Sequence, residues 1–119
     1  MNTLFRWFRR SRPLPDWIEP GDLAARLPAD AGPLVLDVRG PDEFAGPLGH
    51  IAGAVNLPLN ELPAHLTELV DQGRPVVVVC KTDRRSSMAA QELRKAGMQN
   101  VSVLRGGMEQ WRAESLSVS

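Results

Sequence analysis

Four consecutive valines, Val76 to Val79, lie between Arg74-Pro75 and Cys80, the one cysteine of the chain. Each is β-branched, which stiffens χ1 and favours extended backbone over helix. A strand with no polar position has no face to offer to water. It must be covered on both sides, and such strands belong to parallel sheets with helices above and below. Parallel neighbours in turn need a crossover of a dozen or more residues, usually a helix. The rest of the sequence therefore has to alternate strands with helices.

It does so throughout. "PLVLDV" (33–38) is a second short apolar run between turn signals, and "NVSVL" (100–104) reads as the last strand. A minimal strand is expected near Ala54–Asn56, inside the glycine-broken "GHIAGAVNLP". A short helix is predicted from Asp22 to Leu27, closed by Pro28, and another over "GPDEF", with its proline early and acids in its first turn. Residues 60–70 read as a helix with Asn60 as N-cap and Leu62, Leu66 and Leu69 at helical spacing. A longer helix is predicted from about Arg85 or Ser86 to Gly97, with Met88, Ala89, Leu93 and Ala96 on its apolar face. "GGMEQWRAE" opens the final helix. The fold class is α/β, with one domain over residues 16–119 behind a basic tail of residues 1–15.

That tail carries the charge asymmetry of the chain. Residues 1–12 hold Arg6, Arg9, Arg10 and Arg12 and no acid, whereas the remainder is mildly acidic although the whole is formally neutral. An acidic domain argues against a nucleic-acid surface. On a helix, Leu4, Phe5, Trp7 and Phe8 would oppose the arginines, a pattern suited to an anionic membrane surface. About eight residues make a marginal helix in water, and Pro13 and Pro15 end it, so a loose terminus is the expectation and membrane contact by residues 1–12 the alternative. No secretory leader or spanning segment is read, which leaves the cytoplasm as the expected location. One cysteine and two histidines at unrelated spacings predict no structural metal site.

The position of Cys80 is where chemistry is expected. Ligands of open parallel sheets bind beyond the carboxyl ends of the strands, and Cys80 sits at such an end. The first turn of the helix that follows offers unpaired N–H groups and partial positive charge. Lys81, Arg84 and Arg85 add full charges, and together these favour a thiolate and a bound anion. The competing reading is an inert buried cysteine. His50 and His65 are the candidates for a partner base, and neither lies in a motif that ties it to Cys80. Cysteine phosphatases place an arginine at the position occupied here by Ser86; Arg85 comes one residue early, so the loop is too short for that pattern.

Three stretches, "LVLDVRGPDEFAGPLGHIAGAVNLP" (34–58), "PVVVVCKTDRRS" (75–86) and "VLRGGMEQW" (103–111), together resemble the single-domain rhodaneses, a sulfurtransferase family. The likeness runs from about Trp17 to Trp111. It implies a rhodanese-like, mostly parallel five-stranded sheet flanked by helices on both faces, and a six-residue active-site loop from Cys80 to Arg85. It implies Cys80 as nucleophile, taking sulfane sulfur from thiosulfate or a persulfide donor and passing it to cyanide, a small thiol or a protein acceptor. Lys81, Thr82, Asp83, Arg84, Arg85 and Ser86 would bind the substrate, and no cofactor is called for. Asp37 and Arg39, in the "DVR" element, are expected to be structural, with Arg39 paired to Glu43. Gly106 and Gly107 are expected to permit close backbone approach.

One departure stands out. Many members have glycine where this chain has Asp83. Turned inward, its carboxylate would repel thiosulfate; turned outward, it would pair with Arg84 or Lys81. A catalytically weak binding or regulatory module, or a sulfur carrier for a partner protein, is therefore the alternative. A phosphatase or arsenate reductase is disfavoured by the short loop and the absence of a second cysteine.

Overall fold

The computed structural model describes residues 13–27 and 32–119. The expectations for residues 1–12 and for the Pro28 stop lie outside the described residues. Val76–Val79 forms β4, the centre of a sheet with β1 (Trp17–Ile18), β2 (Leu34–Asp37), β3 (Val55–Asn56) and β5 (Val101–Leu104). The order is β1-β5-β4-β2-β3 and every pairing is parallel. Leu36, Val78 and Val103 lie side by side across the middle.

The valine run divides its side chains between two cores, as period-two alternation requires. Val76, Val78 and Cys80 join Leu36, Val38, Val101 and Val103 beneath α3 (Leu66–Gln72) and α4 (Arg84–Lys95), which contribute Leu69, Ala89, Ala90 and Leu93. Val77 and Val79 join Val35 and Leu104 beneath α1 (Pro20–Arg26) and α5 (Gly107–Ala113), which contribute Leu23, Met108 and Trp111. Each fully buried valine is worth roughly 1.5–3 kcal/mol, so the run that dictates the topology also anchors it. The short α2 (Pro41–Phe44) follows β2.

Several local expectations are corrected. Residues Leu59–His65 form a 3-10 helix, not α-helix, and Asn60 is not its cap, since Pro58 occupies that position. Pro63 lies inside this segment, where it has no N–H to give and its ring opposes the α geometry; α3 begins only at Leu66. α4 starts at Arg84, slightly earlier than predicted. Its buried face is Ser86, Ala89, Ala90 and Leu93, while Met88 is 54 % exposed and Ala96 is exposed. Hydrophobicity chose Met88 for the core; the geometry chose Ser86, for a reason the site supplies. The helix ends as expected at Gly97, with φ +108 and Met98 N–H donating to Leu93 O at 3.0 Å. Among the described residues no helix is long and apolar enough to cross a membrane.

Candidate active site

The loop after β4 is shaped by what holds its carbonyl groups. Met108 N–H donates to Cys80 O at 2.9 Å, and Glu109 N–H donates to Lys81 O at 3.0 Å. Both donors belong to the first turn of α5, whose N–H groups have no partner within their own helix. A trans peptide points its N–H opposite to its C=O. With the carbonyls turned onto α5, the N–H groups of Lys81 and Thr82 turn the other way. No protein acceptor among the described residues takes the N–H groups of Lys81, Thr82 or Asp83. The first turn of α4 adds its own unpaired donors.

This approach depends on Gly107. Its φ is +58, and a Cβ there would collide with the carbonyl oxygens of Cys80, Lys81 and Thr82. The expected close approach is therefore present and its partner is the loop that follows β4. Gly106, at φ +76, makes the turn into α5.

Cys80 lies at the floor of the loop and is 1 % exposed. Its Sγ is 3.3 Å from Ser86 N, which donates to it, and 3.3 Å from Ser86 Oγ. Ser86 is thus buried because it contacts the sulfur. Neither histidine approaches this sulfur: His50 Nδ1 bonds Phe44 O at 2.9 Å with its ring stacked on Phe44, and His65 pairs with Glu68.

The charged residues arrange themselves differently from their sequence neighbours. Arg85 donates both terminal nitrogens to Glu43, at 2.6 and 2.9 Å, across 42 positions of sequence. The expected pairing of Arg39 with the Glu43 carboxylate is not formed. Arg39 binds Asp37 through Nε at 2.9 Å and Nη2 at 2.7 Å, and donates to the carbonyls of Gly49 and Glu43. Asn56, unremarked in the sequence, donates to the carbonyls of Asp37 and Arg39 and ties β3 to this cluster. The Arg85 bond, aided by the Gly40 N–H and opposed by partial burial, holds the Glu43 carboxyl down to about 2 from its ordinary 4.5. The same bond raises Arg85 above its usual value.

Asp83 takes neither orientation anticipated for it. Its Oδ2 accepts the Gly106 N–H at 3.3 Å, so it braces the loop against the start of α5. Its φ of −147 demands no glycine, which is why aspartate fits there. Lys81 is exposed, with Nζ 3.8 Å from Glu109 on α5. Thr82 and Arg84 are also exposed. A cleft of about 380 Å³ opens beside the loop, lined by Arg39, Glu43, Pro47, Leu48, Lys81 and Glu109. Glu109 had no sequence signal, because its role depends on where α5 docks. Among the described residues no group of histidine, cysteine and carboxylate side chains could hold a metal ion.

A family model described as "Rhodanese-like domain" matches residues 19–114. The Bacillus subtilis protein YqhL, described as uncharacterized, is 43 % identical over 65 % of this chain and 59 % of its own length. The thiosulfate sulfurtransferase GlpE of Pseudomonas putida is 37 % identical over 79 % of this chain and 83 % of its own. The crystal structure of a rhodanese-related protein from Thermoplasma volcanium superposes with a TM-score of 0.76 at 30 % identity, covering 88 % of this chain and 98 % of that one. The chain spans about three-fifths of the length of YqhL and about half that of two further curated relatives.

Proposed function

The chain belongs to the rhodanese-like family, and on that footing we propose that it transfers sulfane sulfur through a persulfide on Cys80. The observation that carries the reading is the setting of Sγ. It rests against the Ser86 N–H, at the floor of a loop whose Cys80 and Lys81 carbonyls are held by α5 and whose Lys81, Thr82 and Asp83 N–H groups have no protein acceptor among the described residues.

The chemistry follows from that setting. The Cys80 thiolate attacks the outer sulfur of the donor, forming one S–S bond as another breaks. With thiosulfate the leaving group is sulfite; with a thiol persulfide R–S–SH it is the thiolate R–S⁻, which takes a proton from water. The charge on the new outer sulfur is held by the N–H groups of Lys81 to Ser86, acting as a fixed anion cradle. A second nucleophile, cyanide or a thiol, then attacks that outer sulfur and regenerates the Cys80 thiolate. No external reductant or metal takes part in this cycle. Ser86 stands where the shape of a phosphatase loop would need an arginine, and its hydroxyl contacts sulfur instead.

Intact-mass measurement after incubation with thiosulfate, and separately with a small thiol persulfide, tests the reading. Gain of one sulfur atom with either donor, reversed by cyanide and absent in Cys80→Ser, is the expected result. A folded protein that gains sulfur from neither donor overturns it and leaves a binding module. The partners proposed on this reading are a small-molecule sulfur donor and a thiol, cyanide or protein acceptor.

A further inference from the structure

The loop carries three cations, yet its mouth is charge-balanced. Arg85 is held by Glu43 and Lys81 faces Glu109. Asp83, within the loop, supplies a third carboxylate, turned to the Gly106 N–H. Lys81, Arg84 and Arg85 are thus matched by Glu43, Asp83 and Glu109. Two of those acids come from other elements, α2 and α5, and both line the cleft beside the loop. A donor entering there meets Glu43 and Glu109 together with the cations they offset.

Thiosulfate enters with two negative charges, and a hydroxyalkyl persulfide with at most one. A guanidinium held end-on by a carboxylate through both terminal nitrogens has that charge offset and keeps only its Nε side for an incoming sulfonate-like group. Each carboxylate at the mouth cancels a cation that would otherwise attract a dianion, and low-dielectric walls strengthen that difference.

We propose that Glu43 and Glu109 are specificity-determining residues: by occupying Arg85 and Lys81 they set this cleft against dianionic donors and in favour of persulfides carried on thiols. This rests on the sulfurtransferase reading for the donor class. The charge discrimination itself is independent of it. Glu43 acts by engaging Arg85 and by its own negative charge, and Glu109 acts in the same way on Lys81 at the opposite border.

The test compares the full chain with Glu43→Gln, Glu109→Gln and the double variant, on two ratios. The first is the rate of Cys80 alkylation by iodoacetate over that by iodoacetamide, two probes with the same reacting carbon and different charge. Because it is a ratio, a change in thiolate fraction cancels. The second is kcat/KM for thiosulfate over that for the persulfide of 2-mercaptoethanol. Removing one facing charge is expected to raise both ratios by about tenfold in Glu43→Gln and about threefold in the more exposed Glu109→Gln. Ratios within twofold of the parent in the double variant, with its thermal unfolding cooperative, overturn the proposal. Sulfur uptake from neither donor overturns the sulfurtransferase reading and the donor class with it, while the alkylation ratio still decides whether these carboxylates screen the thiol from anions.

Discussion

Arg39 and Arg85 each grip a carboxylate with two nitrogens, and they flank the same short helix α2. The first pair, with Asp37, is 1 % exposed on both sides; the second, with Glu43, is 36 % and 38 % exposed. The chemistry is the same and the surroundings are not. Arg39 has further obligations, to the carbonyls of Gly49 and Glu43, and Asn56 closes the cluster from β3. A buried charge pair contributes little net stability when intact, but is costly to break because the survivor stays buried. A pair at the surface can be exchanged for solvent or for a ligand at small cost. One arginine therefore fixes the architecture behind the loop, and the other sets the charge at its mouth.

Replacing Arg39 by methionine attacks the buried member and is expected to cost about 3–5 kcal/mol, read from urea unfolding, since Asp37 is left without its counter-charge. A loss under about 1 kcal/mol would erase the distinction between the two pairs. Gly107→Ala strikes the other buried support of the loop. Crowding three carbonyl oxygens at positive φ is expected to cost about 1–3 kcal/mol and to slow sulfur uptake by Cys80 in the same variant. Normal uptake would mean that the loop does not depend on its seat against α5. Glu43→Gln, at the exposed pair, is expected to cost no more than about 1 kcal/mol.

Acid sharpens the contrast by the smallest increment. Glu43 is held below its unfolded value, so its contribution is fully present above about 4.5 and is lost as pH falls toward about 2. The stability gap between the parent and Glu43→Gln should be constant near neutrality, narrow below pH 4.5 and close near pH 2. A gap that persists at pH 2 would assign the stabilisation to packing rather than to the ion pair.

Much of this was legible because it is local. The valine run announces a doubly covered strand, and Cys80 follows it at the strand's carboxyl end. Gly106 and Gly107 mark a close approach without saying to what. The fold of β1 was not legible: two residues carry no periodicity, and Trp17–Ile18 becomes a strand only by pairing with Val103 and Leu104. The ion pairs were misread for the same reason. Arg39 and Glu43 are four apart and invite pairing, yet Arg85, 42 positions on from Glu43, wins that carboxylate because β2 and β4 lie side by side. Asp83 looked like an electrostatic obstacle because its partner, a backbone N–H at Gly106, lies 23 positions away. Met88 was assigned to the core by its side chain, while Ser86 earned burial through contact with sulfur.

The burial of Cys80 also bears on how the protein ages. A thiolate exposed to peroxide climbs from sulfenic to sulfinic and sulfonic acid, and the first step is normally rescued by a neighbouring thiol that closes a disulfide. This chain has no second cysteine, so no such rescue is available within it. Its safeguard is concealment: a sulfur that is 1 % exposed presents almost no target while unloaded. In the proposed persulfide, one S–S bond of about 2.04 Å moves the reactive atom that far from the floor. On the proposed cycle, oxidative damage should then fall on the outer sulfur of the loaded protein, an atom that can be shed and replaced without loss of the chain that carries it.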